Sequence, residues 1–569
     1  MLLSNMELIA TAPGGIAKLR ELILTLAVQG KLVPQNPADE PAGVLLKKIR
    51  AEKDRLVAEG KIKRDKPLAG IAEEEKPFAL PQGWEWVRLS ALLQKIGAGS
   101  TPLGGREVYV PSGVKFLRSQ NVWDEGLRLD GVAFIKPEMH AKMAGTVVVA
   151  NDLLFNITGA SIGRCAVVPS DFDEANVSQH VTIIRAVLPE LNAFLHKVLV
   201  SRHVQQTVMD VQVGVSREGL SIAKLGQFLI PVPPLAEQSR IVTRVEALMR
   251  LCDALEAKGQ LGAAQHAQLV STLLGTLTAS TTPEELAANW QRVAQHFDLL
   301  LDRPEAIDAL EQTLLQLAVR GLLVPQDPTD EPATELIVRV MQRKAASAGK
   351  SRKPTDDKLP LFPYELPDRW TWAQLGDLVE NMGSGWSPAC DEGERSDPTR
   401  WAVLRTTAVQ VNEFRPREHK VLPNKLSPRP EIEVQDGDIL ITRAGPMNRV
   451  GISCWVDRAP PRLMLSDKIV RFHPVADEML PAFIVLTLNA GYTKDQIEAA
   501  KSGMAASQVN ISQSDLRGFW IPVCSKTEQS RIVTRVTALR RLCADLRQRL
   551  AEREAVQARL AEALVESVG

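Results

Sequence analysis

The run EQSRIVTRVEALMRLC, from Glu237 to Cys252, returns as EQSRIVTRVTALRRLC from Glu528 to Cys543, identical at 14 of 16 positions. Unrelated surface helices do not reach such identity by chance, so the chain must fold as a duplication. A second pair shares the offset: LRELILTLAVQGKLVPQNPADEPA (Leu19 to Ala42) returns as LEQTLLQLAVRGLLVPQDPTDEPA (Leu310 to Ala333), 15 of 24 positions identical and again 291 residues on. LPQGWEWVRL (Leu80 to Leu89) answers LPDRWTWAQL (Leu366 to Leu375), and SIAKLGQFLIPV (Ser221 to Val232) answers QSDLRGFWIPV (Gln513 to Val523). Between these anchors only faint echoes survive, such as NDLLFNITG (Asn151 to Gly159) against GDILITRAG (Gly437 to Gly445). The chain holds two copies of one plan, alike in frame and different in content.

The frame is helical. No proline interrupts Leu235 to Thr282, and Ile241, Val245, Leu248, Cys252 and Leu255 step by four and three, the seam of a coiled coil. Ile532, Val536, Leu539, Cys543, Leu546 and Leu550 hold the same register, with Arg, Glu and Gln on the other faces. A helix of about 40 residues is on the order of 60 Å long, the shape of a ruler rather than a pocket. Two independent surface helices are the plainer alternative, but both seams run longer than a globular domain needs.

The variable segments read as mixed α/β. Val114 to Ser119, Thr146 to Ile157 and Val181 to Val187 are β-branched runs broken by Gly, Asn and Asp turns, and Trp401 to Thr407, Gly437 to Arg443 and Lys468 to Phe472 keep the rhythm in the second copy. A helix is expected after each set, near Ala193 to Val211 and Ala482 to Ala500.

Bulk charge announces no partner, since 68 basic residues offset 68 acidic ones, and any polyanion or membrane must be met by local patches. The start, MLLSNMELIATAPGGIAKLR, has no basic region ahead of an apolar run, and no uninterrupted apolar stretch of about 18 residues occurs, so a cytoplasmic protein is expected. The six cysteines, at 165, 252, 390, 454, 524 and 543, show neither a CxxC pair nor metal-ligand spacing and are expected to be reduced and packed.

Two divergent α/β domains, each opened by LPxxWxW and closed by an IPV segment and EQxxIVxRV, alternate with near-identical long helices and the AVxGxLVPQ segment. This pattern resembles the specificity subunit of type I restriction-modification enzymes over nearly the whole chain. The resemblance implies a non-catalytic reader of double-stranded DNA without a cofactor of its own. Each variable segment would be a target recognition domain; the helices would set the distance between the two and dock methyltransferase subunits, two of them, and restriction subunits. The expected fold is mixed α/β, two such domains in a pseudo-two-fold arrangement separated by long antiparallel coiled-coil helices. Its boundaries are 1–79 (N-terminal repeat segment), 80–234 (first recognition domain), 235–365 (central repeat region), 366–523 (second recognition domain) and 524–569 (C-terminal repeat helix). A repeated unit makes a pseudo-dimer, and two different heads on one symmetric frame would read a split, asymmetric target.

Base edges are read by Arg on guanine, Asn or Gln on adenine, and Ser or Thr more loosely. FLRSQNVW places Arg118, Ser119, Gln120 and Asn121 directly after a strand, and VLRTTAVQ places Arg405, Thr406, Thr407 and Gln410 at the matching point. Ordinary strand-end polarity explains any single one equally well. The loops VGVSREGLS (Val213 to Ser221), with Arg217, and SGMAASQVNIS (Ser502 to Ser512), with Gln508 and Asn510, offer Gly and Ser for close backbone approach to phosphate. Arg415 to Arg429 is a basic stretch that a solvated loop explains almost as well. Partner docking is expected on the repeated helices, at Arg240, Arg244, Arg531 and Arg535, read as exposed.

No Asn-Pro-Pro-aromatic run and no GxxxxGK[ST] loop is present, and Gly97 to Gly105 lacks the spacing of a nucleotide-binding turn. Glu418-His419-Lys420 and the run Glu73 to Lys76 have no acidic partner on a preceding strand, while Asp152 and Asp438 recur at matching turns as turn residues do. Two other readings stay open at this point. One is a stand-alone DNA-modifying enzyme with an unfamiliar site. The other is a protein-binding scaffold, kept open by heads with 14 basic against 13 acidic residues (Trp84 to Val232) and 17 against 19 (Trp370 to Val523).

Overall fold

The computed structural model describes residues 9–64, 68, 70–102, 105–213, 219–280, 282–348, 360–395, 397–475 and 478–566. The chain divides into two compact units, Met1–Gly262 with Arg553–Gly569, and Ala263–Glu552. Both dividing points fall inside long helices, Leu235–Ala279 and Lys526–Glu566, the two that the seams predict. The last turns of the second helix therefore fold with the first unit.

The recurring ends of each variable segment recur because they pair with each other. In the first unit Glu85–Arg88 lies antiparallel to Leu229–Val232, with Trp86 opposite Pro231; in the second, Thr371–Gln374 lies antiparallel to Trp520–Val523, with Trp372 opposite Pro522. Inside these closures each unit carries a four-stranded antiparallel sheet. The first runs in the order Cys165–Val167, Leu153–Asn156, Val181–Ala186, Leu93–Ala98; the second runs Val379–Ser384, Ile469–Pro474, Ile439–Thr442, Ser453–Trp455. A further mixed sheet in each has one parallel pair, Val114–Leu117 with Ala175–Val177 and Ala402–Leu404 with Leu463–Met464. The topology is shared although the sequences hardly match.

Local chemistry sets where these elements end. The strand expected over Thr146 to Ile157 is two, Val147–Val148 and Leu153–Asn156, in different sheets. Asn151 turns the chain at a φ of 65°, a conformation Asn tolerates, and buried Asp152 accepts the Val149 N–H at 2.9 Å. The single helices expected after each set are pairs, Asn192–Leu199 with Arg202–Val213 and Pro481–Leu488 with Gly491–Ala500. At the first break buried Ser201 donates its hydroxyl to the Val198 carbonyl, and at the second Gly491 takes a φ of 61°.

Several of the residues repeated between the copies build a clamp in each unit. The Trp84 indole N–H reaches Glu237 Oε2 at 3.0 Å and the Gln35 amide reaches Glu237 Oε1 at 2.7 Å; Trp370 and Gln326 meet Glu528 at the same 3.0 and 2.7 Å. Burial raises both carboxyls above the usual range, against the pull of those donors. Arg240 pairs with Asp39 beside the first clamp and Arg531 with Asp330 beside the second. The glycine of AVxG is required here. Gly30 sits at a φ of 71°, and a Cβ on it would lie 2.4 Å from the Pro81 ring and 3.0 Å from the Trp84 indole.

The seams close two helical cores. Leu19, Ile23 and Ala27 share a buried cluster with Ile241, Val245, Leu248, Cys252 and Ala561; in the second unit Leu310, Leu314 and Leu317 share one with Cys543, Leu550, Val270, Leu274 and Leu277. Ion pairs flank both with reversed polarity. Arg20 meets Asp253 at 2.6 Å and Glu256 at 2.8 Å, whereas Glu311, at the place of Arg20, meets Arg540 at 2.7 Å and Arg547 at 2.6 Å. Each helix thus matches the long helix of its own unit and would repel that of the other.

Candidate nucleic-acid interface

In the first unit the strand Val114–Leu117 runs into a 3-10 turn, Ser119–Asn121, and then a small hairpin, Val122–Trp123 with Gly126–Leu127. Asn121 holds this piece together. It is 1% exposed, accepts the Arg118 N–H at 3.0 Å, donates to the Arg128 carbonyl at 2.8 Å, and takes the Arg128 N–H on its own carbonyl at 2.9 Å. The side chain that sequence alone offered as an adenine reader is withdrawn from the surface, because the turn needs its amide. Arg118 and Ser119 are half-buried and Gln120 is exposed, its carbonyl fixing the Trp123 indole N–H at 2.8 Å.

Asn156, buried at the end of Leu153–Asn156, donates to the Ser119 carbonyl at 2.9 Å and to Ser161 Oγ at 3.1 Å. This ties the strand-end turn to the loop 157–164. The Ile157 carbonyl accepts the Leu220 N–H at 2.8 Å, and a Cβ on Gly219 would lie 2.2 Å from the Thr158 methyl. Two segments read separately from sequence, 118–121 and 219–221, thus border one surface; Arg217 lies outside the described residues.

The second unit repeats the hairpin as Val409–Gln410 with Glu413–Phe414, and the Arg415 N–H meets the Ala408 carbonyl at 2.8 Å just as Arg128 meets Asn121. Its candidate side chains already have protein partners. Arg405 pairs with Glu392 at 2.6 Å, and the Thr407 hydroxyl donates to Glu418 at 2.7 Å. Gln410 donates to the Thr407 carbonyl at 2.7 Å and accepts from Arg449 at 3.1 Å, while the half-buried Thr406 gives its carbonyl to Arg449 at 2.8 Å. Both ends of the Gln410 amide are engaged within the unit. The open loop expected over Ser502 to Ser512 is a hairpin, Ser502–Ala505 with Gln508–Asn510, paired onto Ala444–Gly445. A Cβ on Gly503 would lie 2.3 Å from the Gln508 carbonyl oxygen, so the hairpin itself demands that glycine. Gln508 and Asn510 are exposed on it.

Sequence reasoning missed a feature of the first hairpin. The guanidinium carbons of Arg128 and Arg164 lie over the Trp123 ring, 3.5 and 3.8 Å from its centroid. Asp124, next in sequence, turns inward to accept the Cys165 N–H at 2.9 Å, and burial raises its carboxyl. The signal lay in VWDEGLR, a tight DEG turn with an aromatic before it and an arginine after it.

On the repeated helices Arg244 and Arg535 are exposed, but Arg240 and Arg531, read as exposed, are half-buried in their pairs with Asp39 and Asp330. Asp152 and Asp438 have turn work: Asp152 pairs with Arg185 at 2.6 Å, and Asp438 accepts the Gln435 N–H at 2.8 Å. All six cysteines are free. Among the described residues no three His, Cys, Asp or Glu side chains gather as a metal site, and no helix is long and apolar enough to cross a membrane.

The profile of the type I restriction modification DNA specificity domain matches residues 81–262. The chain is 43% identical over 567 residues to the type I restriction enzyme EcoEI specificity subunit of Escherichia coli, covering 97% of this chain and 94% of that one. It is 32% identical, with the same coverage, to the EcoAI specificity subunit of Escherichia coli. A solved chain from work on complex assembly and conformational transition of the type I R-M system is 19% identical, with a TM-score of 0.48, over 86% of this chain and 99% of that one.

Proposed function

This chain belongs to the specificity subunits of type I restriction-modification enzymes, and from that premise we propose how its parts divide the recognition of a DNA sequence. The segments 80–234 and 366–523 are two readers of double-stranded DNA, each for one half of a split, asymmetric target. The segments 1–79, 235–365 and 524–569 are the frame that sets the unread spacer. Two methyltransferase subunits and the restriction subunits dock on the frame and supply the chemistry in the cytoplasm, Arg244 and Arg535 being the exposed cations available to them.

One observation carries this division. The same hairpin leaves the same strand end in both units, yet most of its side chains differ: Asn121, Trp123 and Gly126 in the first stand where Ala408, Gln410 and Glu413 stand in the second, while Arg128 and Arg415 coincide. Identical scaffolding with divergent tips is what two readers of different sequences need, since base choice depends on the side chains that reach the groove.

The test is to express the full chain with methyltransferase subunits and map methylated sites across the host genome. A bipartite asymmetric site is expected, with each part altered separately by substitutions in the corresponding head. Absence of site-specific methylation, or a continuous undivided site, would overturn the reading.

A further inference from the structure

We infer that in the first unit Arg128 and Arg164, held by Trp123, read guanine in that unit's half of the target. The inference rests on the proposed function and names the residues that carry its specificity. Guanine offers two acceptors, O6 and N7, on its major-groove edge, and a planar guanidinium fork matches them bidentately. Such a fork must be held still and must be free of a competing carboxylate. The first condition is met, and no carboxylate hydrogen-bonds either guanidinium among the described residues, although Glu125 stands 3.8 Å from Arg128 and the Asp124 carboxylate feels the charge of Arg164. Contact with the indole face holds each guanidinium, and the hairpin fixes the indole through the Gln120 carbonyl. Arg128 stands on backbone pinned by Asn121, and Arg164 stands between Gly163 and Cys165, whose N–H groups meet the Asn156 carbonyl and the Asp124 carboxylate, both at 2.9 Å.

The duplicated hairpin shows what an occupied arginine looks like at the same place. Arg415 is bound twice by Glu413, at 2.9 and 2.8 Å. The first hairpin has Gly126 where the second has Glu413, and Glu125 makes only a long, exposed ion pair with Arg128, at 3.8 Å. Asp124 is turned inward onto Cys165. The first head thus presents two arginines over one indole, neither hydrogen-bonded by a carboxylate, beside the turn 119–121 and the loop 157–164.

The experiment uses the full chain co-expressed with methyltransferase subunits, and it starts from the target that methylation mapping gives for the unsubstituted protein. Arg128→Lys and Arg164→Lys keep the charge and the fold while removing the fork. Each is expected to lower discrimination at one guanine position in a single half of the target by about 5- to 150-fold, measured by competition between the mapped duplex and duplexes with one base changed. Trp123→Ala should lower discrimination at both positions, and Trp123→Phe should retain most of it. A uniform loss on every duplex with a shallower salt dependence after Arg→Ala substitution would mark phosphate contacts and overturn the inference. Unchanged site choice in both lysine variants would also overturn it. An unsubstituted protein that directs no site-specific methylation would instead bring down the underlying functional reading.

Discussion

At the scale of single residues, identity alone misleads wherever the backbone has a prior claim on a polar side chain. Asn121 and Gln410 have the chemistry of adenine readers, yet the first completes a turn and the second bridges Thr407 and Arg449. Sequence shows which groups a residue carries but not which of them the fold has already consumed. The pairing of Arg164 with Arg128 was illegible for the converse reason, the two being 36 residues apart in sequence and brought together over Trp123. His196 shows how strongly burial can override a residue's ordinary behaviour. It is 5% exposed, its Nε2–H donates to the Cys165 carbonyl at 2.9 Å, and burial lowers its pKa from 6.5 to about 4. A depressed folded pKa means that the unfolded chain takes the proton first as pH falls. The stability that depends on neutral His196 is therefore full above pH 6.5, falls between pH 6.5 and about 4, and changes no further below that. The total is on the order of 3 kcal/mol. His196→Gln keeps a donor and does not titrate. The difference in unfolding free energy between the two proteins should narrow by that amount as pH drops through the window; a constant difference would show that His196 is not the group responsible.

At the scale of elements, the frame was legible because its periodicity is long and is stated twice, and the helices run where the seams place them. The heads were legible only as a rhythm of strands, because sheet order depends on pairings between distant segments that leave little trace in any one of them. Motif recurrence also concealed a purpose. LVPQ, the tryptophan of LPxxW and the glutamate of EQ stood out only as recurring motifs, and Gln35, Trp84 and Glu237 meet one another inside the first unit. The prediction is specific to this clamp. Glu237→Leu strands the buried Trp84 N–H and should cost about 1–3 kcal/mol. Glu237→Gln keeps an acceptor and gives up a charge that burial already opposes, so it should cost less than about 1 kcal/mol. Glu528→Leu and Glu528→Gln should repeat the pattern, because Trp370 and Gln326 lie at the same distances. Thermal and denaturant unfolding of the four variants checks this. Equal losses for the Leu and Gln variants would show that the hydrogen bonds contribute little beyond shape.

At the scale of the whole molecule, the two units draw equivalent parts from different places in the chain. The offset of 291 residues that relates the copies in sequence also relates their cores, since Val270 of the second unit's cluster corresponds to Ala561 of the first, Leu273 to Leu564 and Leu274 to Val565. Lys18 reinforces the join in the first unit, 3.3 Å from Glu562. Whichever helix end reaches Leu19 and Ile23 must therefore present this register, and residues 263–279 present it as well as residues 553–566 do. A fragment from Met1 to Ser280 contains one head, one long helix and that helix end, but it lacks the segment that closes its own core. Two such fragments can close each other's, and the flanking ion pairs agree, because Arg20 would still meet Asp253 and Glu256 of its own chain. The expected product is a symmetric dimer with two copies of the first head. Co-expressed with methyltransferase subunits, it should direct methylation to an interrupted palindrome made of the first half-site twice, at about the original spacing, and Leu274→Asp should prevent both dimerisation and methylation. Recovery of the original asymmetric target, or a folded fragment that stays monomeric at micromolar concentration, would show that the repeated register does not make the two helix ends interchangeable.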